Sequence, residues 1–212
     1  AKGLNITLPH KKSVARIIKN LSDEASFIDA VNTINKISNQ LHAVSTDGEG
    51  LIKDMDKKNI RIKNKNILVL GAGAAVESVL FKIIQSKPKS ITLINRTEEK
   101  SKKLHSKYLP MIDISLELET TNYDLVINGS SAGLTGKFLP PDDALFNEKT
   151  VFYDLNYSLT GTAFCNWADI ISDHTYDGMG MLISQAALSF HEWFGVMPST
   201  TSIAEELRDL RN

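Results

Sequence analysis

The fold class this sequence predicts is α/β, a doubly wound parallel sheet with a smaller α/β lobe beside it. Three observations predict it. The apolar run Ile67-Leu68-Val69-Leu70 enters Gly71-Ala72-Gly73-Ala74-Ala75-Val76, and Val76, Val79, Leu80, Ile83 and Ile84 follow at helical spacing, the strand, glycine turn and helix of a dinucleotide-binding unit. Strand and helix patterns then alternate, as a parallel sheet requires. From Met179 a sustained helical stripe of apolar residues runs to Phe194, which is expected to return to the smaller lobe. The larger part is therefore Rossmann-like.

The elements follow in order. Leu4 to Leu8 reads as a strand closed by Pro9, and Lys11 to Asn20 as a short helix. Ala30 to Ile37 and Leu41 to Val44 read as paired strands joined by a turn at Ser38-Asn39. A helix from Asp47 to about Asp56 is expected, capped by Asp47 or Thr46. Lys57 to Asn66 is a polar, basic connection into the cofactor unit. Beyond it come a strand at Ile91 to Ile94, a helix at Glu98 to Lys107, and strands at Ile112 to Ile114, Asp124 to Ile127 and Val151 to Leu155. The helix from Met179 stops at Gly195, with Pro198 just beyond. A last helix is expected from Ser202 to the end of the chain.

The balance of 24 basic and 25 acidic residues gives a formal net charge of −1, and no basic stripe stands out, so no nucleic-acid partner is expected. Cys165 is the single cysteine, which excludes a disulfide framework within the chain. No apolar run reaches membrane-spanning length, the five histidines lack metal-ligand spacing, and a cytoplasmic protein without metal is expected. The chain opens at Ala1 and is within a few residues in an apolar strand, as though a preceding segment were absent.

The strand end at Asn95-Arg96-Thr97 selects the cofactor. An NAD site places a carboxylate there for the ribose 2′-hydroxyl. Here a guanidinium and a hydroxyl stand instead, suited to a 2′-phosphate, and arginine occurs only five times in this chain. The expectation is NADP, with Gly71 making the tight turn and Gly73 admitting the pyrophosphate. Val76 stands where the fingerprint has its third Gly or Ala. The plainer alternative is a glycine turn in an ordinary α/β sheet with Arg96 solvated.

For chemistry, Lys11 follows the first strand and Pro9, while Asp47 lies at the strand-to-helix turn Ser45-Thr46-Asp47-Gly48. A lysine and an aspartate on neighbouring strand ends could flank a substrate hydroxyl. From spacing alone, Lys11 also fits a solvated first-turn lysine.

Asn-Ile-Thr-Leu-Pro-His-Lys, Ala-Val-Asn-Thr-Ile, Ser-Thr-Asp-Gly-Glu-Gly, Gly-Ala-Gly-Ala-Ala, Asn-Arg-Thr and Asp-Gly-Met-Gly-Met-Leu-Ile-Ser-Gln-Ala occur here in one order. In that series the chain resembles the shikimate dehydrogenase family along essentially its whole length. The resemblance implies reversible reduction of 3-dehydroshikimate to shikimate with NADPH by a monomer or homodimer. It implies a substrate-binding lobe at residues 1–46, an NADP-binding domain at 47–178, and C-terminal helices at 179–212 that complete the first lobe. Lys11 and Asp47 would be the catalytic pair, with Thr7, Asn32, Asp47, Tyr157 and Gln185 on the substrate. Gly71, Gly73, Ala74, Asn95, Arg96, Thr97 and Lys100 would hold NADP, and Asn128, Ser130, Gly178 and Met181 would line its nicotinamide end.

The chain departs from the family in lacking an N-terminal Ser-Lys-Ser-Pro type motif, which would anchor the substrate carboxylate, and in carrying Ser45 where Asn is usual. Two rivals stand beside this reading: a quinate-type dehydrogenase of the same superfamily, and a non-catalytic NADP-binding paralogue.

Overall fold

Short extended segments at the start of the chain close into a four-stranded mixed sheet. The computed structural model describes residues 1–119, 122–132 and 138–210. In it Gly3–Asn5 (β1), Asn20–Leu21 (β2), Thr33–Ile37 (β3) and Gln40–Val44 (β4) lie in the order β1-β3-β4-β2. Strand β3 runs antiparallel to β1 and β4, and β2 runs parallel to β4. The hairpin turns at Ser38 (φ 45°) and Asn39 (φ 66°), the pair of positive φ values a two-residue turn of this hand demands.

Several expectations change here, and the strand read from Ala30 begins only at Thr33. The first strand keeps ladder pairing only to Asn5, because the chain then turns to bring Lys11 forward, with His10 N–H bonding Thr7 O at 2.9 Å. The first helix is Lys11–Ala15 (α1) rather than a segment reaching Asn20, since Asn20 and Leu21 pair with His42 and Ala43 instead. A helix at Asp23–Ile28 (α2), not anticipated, is capped by Ser22 Oγ, which accepts from Ala25 N–H. Its signal was present: a serine followed by two acids is a helix start.

Helix Asp47–Lys57 (α3) leads to the second sheet. Its strands are Asn66–Leu70 (β5), Ser90–Ile94 (β6), Ile114–Ser115 (β7), Leu125–Asn128 (β8), Val151–Asp154 (β9) and Thr175–Tyr176 (β10). They stand in the order β10-β9-β8-β5-β6-β7, with every neighbouring pair parallel. Helices Ala74–Gln85 (α4) and Glu98–Tyr108 (α5) follow β5 and β6. A further helix, Ala163–Ala168 (α6), also escaped sequence reading; Thr162 Oγ1 caps it by accepting from Cys165 N–H. Ile112 to Ile114 contributes strand only from Ile114.

Alternation along β5 builds two cores. Ile67 and Val69 face the cluster with Leu51, Met55, Val76, Leu80 and Ile83. Leu68 and Leu70 face Phe152, Phe164 and Tyr123 on the other side. A strand buried on both faces reads as a continuous apolar run for this reason.

Helix Met179–Phe194 (α7) packs across α3, and Thr201–Asp209 (α8) follows. The last helix was expected to reach the chain end; residues 211 and 212 lie outside the described residues. The crossing of α3 and α7 is close because glycines stand in it. A Cβ on Gly50 would come within 2.8 Å of Gln185 N, and one on Gly180 would overlap the Asp54 carboxylate. Asp54 cannot yield, since Tyr153 Oη donates to it at 2.7 Å and Lys58 pairs with it. Gly180→Ala is therefore expected to lower stability by about 1–3 kcal/mol, read as a reduced urea midpoint at unchanged slope.

Cys165 sits against Tyr176 at the α6–β10 side. Burial pushes its thiol up to about 12. Its reaction with a disulfide reagent at pH 8 is expected to be at least roughly 30-fold slower than that of a free thiol, because the smaller thiolate fraction outweighs the greater nucleophilicity, rising to the free rate in denaturant. Among the described residues, no helix is long and apolar enough to cross a membrane, and no group of three or more His, Cys, Asp or Glu could hold a metal ion.

Candidate active site

The first turn of α1 and the first residue of α3 meet in an ion pair. Lys11 Nζ donates to Asp47 Oδ2 at 2.6 Å, with the two side chains 18% and 7% exposed. Asp47 stands at the N-terminus of α3, where a carboxylate is favoured by the helix dipole. Its other oxygen, Oδ1, accepts from Asn32 Nδ2 at 2.9 Å. Both carboxylate oxygens are thus occupied and the pair is held in one geometry.

The cap of α3 departs from expectation. Thr46 occupies the N-cap position without a side-chain cap, its backbone near-helical (φ −101°, ψ −1°) rather than extended as a cap requires, and its hydroxyl donates to Gln185 O of α7 at 3.0 Å. Asn32 Nδ2 also reaches Thr46 Oγ1 at 2.8 Å and Gln185 Oε1 at 3.1 Å. The first sheet, α3 and α7 are therefore joined through one buried amide.

A cavity of about 290 Å³ opens over this cluster. Thr7, Lys11, Asn32, Asp47 and Gln185 line one side, and Leu155, Tyr157, Gly178 and Met181 line the other, with Asn5, Ile6 and Leu182 completing it. Every residue assigned to substrate from the sequence is on its wall. Sequence reasoning missed Asn5, Ile6, Leu155 and Leu182. It also missed Thr46, Thr33 and Ser189 behind the wall, although Ser189 lies one helical turn from Gln185 on the same face.

The NADP expectation is tested at the C-terminal ends of β5, β6 and β8. Leu70 and Asn128 are in register there, and the strand order reverses between β5 and β8, the place where open α/β sheets bind ligands. Gly71 has φ +101°, and a Cβ on it would come within 2.8 Å of Ser130 N. A Cβ on Gly73 would meet nothing within 4 Å, so open space lies beside Ala74 at the N-terminus of α4, where an anion is favoured.

Asn95 braces this loop. Its Oδ1 accepts from Ala72 N–H at 3.0 Å and its Nδ2 donates to Thr97 O at 2.7 Å. An aspartate could take the first bond but not make the second. Arg96, Thr97 and Lys100 are exposed. The side chains of Arg96 and Lys100 make no ion pair or hydrogen bond among the described residues, and Thr97 Oγ1 makes no capping bond to α5. Glu98, the next carboxylate along, is engaged by Lys102 at 2.9 Å, which holds it below the usual carboxylate range. Two cations and a hydroxyl at this strand end fit a 2′-phosphate, so the residues present fit NADP.

At the opposite end Asn128 is fully buried, and its side chain is consumed internally. Its Nδ2 donates to Asp154 Oδ1 at 2.9 Å, and its Oδ1 accepts from Ser130 N–H at 3.1 Å and Oγ–H at 2.8 Å. Asn128 thereby shapes the Gly129–Ser130 turn from beneath. Burial raises the Asp154 carboxyl, opposed by donors from Thr162, Asn156 and Asn128. Gly178 lies so close to Leu155 O that a side chain is excluded, and Met181 packs between the cavity and the main core.

The chain is similar to known proteins. Three family models match the chain: the shikimate dehydrogenase substrate binding domain over residues 1–34, shikimate / quinate 5-dehydrogenase over 54–134, and the shikimate 5'-dehydrogenase C-terminal domain over 178–208. The chain is 39% identical over 208 residues to the shikimate dehydrogenase (NADP(+)) of Legionella pneumophila (strain Lens), covering 97% of this chain and 78% of that protein. It is 35% identical over 212 residues to the corresponding protein of Vibrio campbellii, covering 98% and 76%. The structure of shikimate 5-dehydrogenase from Thermus thermophilus in complex with NADP(H) and shikimate superposes with a TM-score of 0.86 at 29% identity, covering 99% of this chain and 79% of that one. With a parallel sheet in Rossmann order, a lysine–aspartate pair facing the cofactor lobe, and this level of identity, the chain belongs to the shikimate dehydrogenase family.

Proposed function

We propose that this chain catalyses the reversible, NADP-linked interconversion of 3-dehydroshikimate and shikimate. The observation that carries the proposal is the Lys11–Asp47 pair, 2.6 Å apart, on the wall of a cavity lined from both lobes. In this reading residues 1–46 and 179–212 form the substrate side and 47–178 the NADP side.

When bound, NADP supplies the hydride chemistry. In the reducing direction the Lys11 ammonium gives a proton to the carbonyl oxygen of the substrate as that oxygen gains negative charge. A fixed cation there is worth more to the transition state than to the neutral ketone, which is the condition for catalysis. Asp47 keeps the ammonium aimed and balances its charge. In the oxidising direction the neutral amine of Lys11 takes the hydroxyl proton back. Thr7, Tyr157 and Gln185 offer hydroxyl and amide groups to the ring hydroxyls, and Asn32 holds Asp47. Gly71, Gly73, Ala74, Arg96, Thr97 and Lys100 hold the cofactor, and Ser130, Gly178 and Met181 bound its reactive end. The proposal includes a cytoplasmic location and a small-molecule substrate rather than nucleic acid, in keeping with the near-even charge balance.

The test follows NADPH absorbance as shikimate is added to the protein with NADP, with quinate and NAD in parallel. Turnover that needs shikimate and prefers NADP supports the proposal. Turnover with quinate alone assigns the rival substrate, and NADP binding without turnover of either acid leaves a binding module.

A further inference from the structure

A fully buried hydroxyl on α7, Ser189 Oγ, stands one layer behind the Lys11–Asp47 pair. It lies 2.7 Å from Thr33 Oγ1, accepts from Asn5 Nδ2 at 3.0 Å, and is 3.1 Å from Gln185 O. Counting protons orders these contacts. Thr46 N–H can only donate, and it bonds Asn32 Oδ1 at 2.8 Å. This fixes the Asn32 amide so that Nδ2 faces Asp47 Oδ1. The Thr33 hydroxyl donates to the same Asn32 Oδ1 at 3.0 Å. With its one proton placed there, Thr33 accepts from Ser189.

Besides the Thr46 hydroxyl, 3.3 Å away and the longest of its contacts, the other acceptor within reach of the Ser189 proton is the Gln185 carbonyl. That oxygen already receives the Thr46 hydroxyl at 3.0 Å and faces the helical N–H of residue 189. A one-way chain results: Asn5 amide to Ser189 hydroxyl, to Thr33 hydroxyl, to Asn32 carbonyl, with the Asn32 N–H ending on the Asp47 carboxylate.

We infer that Ser189 is a positioning residue that acts on Asp47 through Thr33 and Asn32. Donors aligned in one direction polarise one another, so each proton given toward Asn32 Oδ1 strengthens the bond from Asn32 Nδ2 to Asp47. Asp47 in turn fixes Lys11 Nζ at the cavity wall. The inference rests on the proposed role of the Lys11–Asp47 pair.

The test compares Ser189→Ala, Thr33→Val and Thr33→Ser with the unaltered chain. Two readouts are taken, shikimate-dependent NADP reduction and the NMR signals of the Asn32 side-chain amide. Ser189→Ala and the isosteric Thr33→Val are expected to lower kcat about 2- to 10-fold, the range of one lost neutral hydrogen bond. The KM for NADP stays unchanged, and the Asn32 amide protons move upfield. Thr33→Ser keeps the hydroxyl and restores both readouts. Because the two hydroxyls act in series, the double variant Ser189→Ala/Thr33→Val loses no more than Thr33→Val alone. Additive losses, equal losses in Thr33→Val and Thr33→Ser, or an unmoved Asn32 signal in Ser189→Ala would overturn the chain. Lys11→Met run alongside separates the two ideas: retained turnover there sinks the assigned pair, while the Asn32 signal still decides the chain.

Discussion

Lys11→Met is expected to lower kcat for shikimate oxidation by about 10²- to 10⁴-fold, the usual contribution of a positioned acid–base group, while NADP binds as before. Methionine keeps the length of the side chain and removes both the proton and the charge. The pair sits in a cavity where Lys11 is mostly shielded from water, so the lost ammonium is not replaced by bulk solvent. Removing one partner also leaves the buried Asp47 carboxylate without its cation. A small loss of stability should therefore accompany the loss of rate. A titration of NADP by fluorescence, next to the rate assay, separates the two effects. If the variant turns over at more than a tenth of the normal rate, Lys11 does not handle the proton.

The second large effect is expected at the strand end after β6. Arg96→Ala should raise the Kd for NADP about 10- to 100-fold, since a hydrogen bond to a charged group contributes about 1.5–3 kcal/mol. The Kd for NAD should change by less than twofold. Arg96 makes no ion pair among the described residues and is exposed, so its loss leaves no orphaned carboxylate and should not disturb the fold. The difference between the two cofactors is the decisive quantity, because a general loss of loop structure would weaken both. A larger penalty is expected at low salt than at high salt, as for any exposed charge pair. Equal loss of NADP and NAD binding would show that Arg96 shapes the loop rather than meeting a phosphate.

The two lobes differed in how much their residues announced. In the cofactor lobe, the central strands β5, β8 and β9 carry apolar runs because both faces of a parallel sheet are covered, and Gly71 and Gly73 mark the turn by composition alone. There the pattern from Asn66 to Ile94 and the observed elements differ by a residue or so at their ends. In the first lobe, β2 is two residues long and α2 six. Segments so short carry too few periodic positions to stand out, and only the Ser22-Asp23-Glu24 cap marked a helix start.

The same division runs through the active site. The residues alone pointed to Arg96 at a strand end and to Lys11 and Asp47 at neighbouring strand ends, whereas Asn32 and Gln185, the latter in the middle of α7, were singled out only by the family resemblance. That Lys11 and Asp47 touch, that Thr46 gives its hydroxyl to α7 instead of capping α3, and that Asn128 turns inward were decided by tertiary structure alone. Asn32 meets Gln185 across 153 positions and Thr33 meets Ser189 across 156. Such contacts depend on the angle at which α7 crosses α3, set by Gly50 and Gly180, and no local pattern encodes that angle. The sequence by itself thus determined the sheet, the cofactor turn and the chemical groups available. Packing decided which of those groups share protons, because hydrogen bonds form between surfaces only after the helices that carry them have docked.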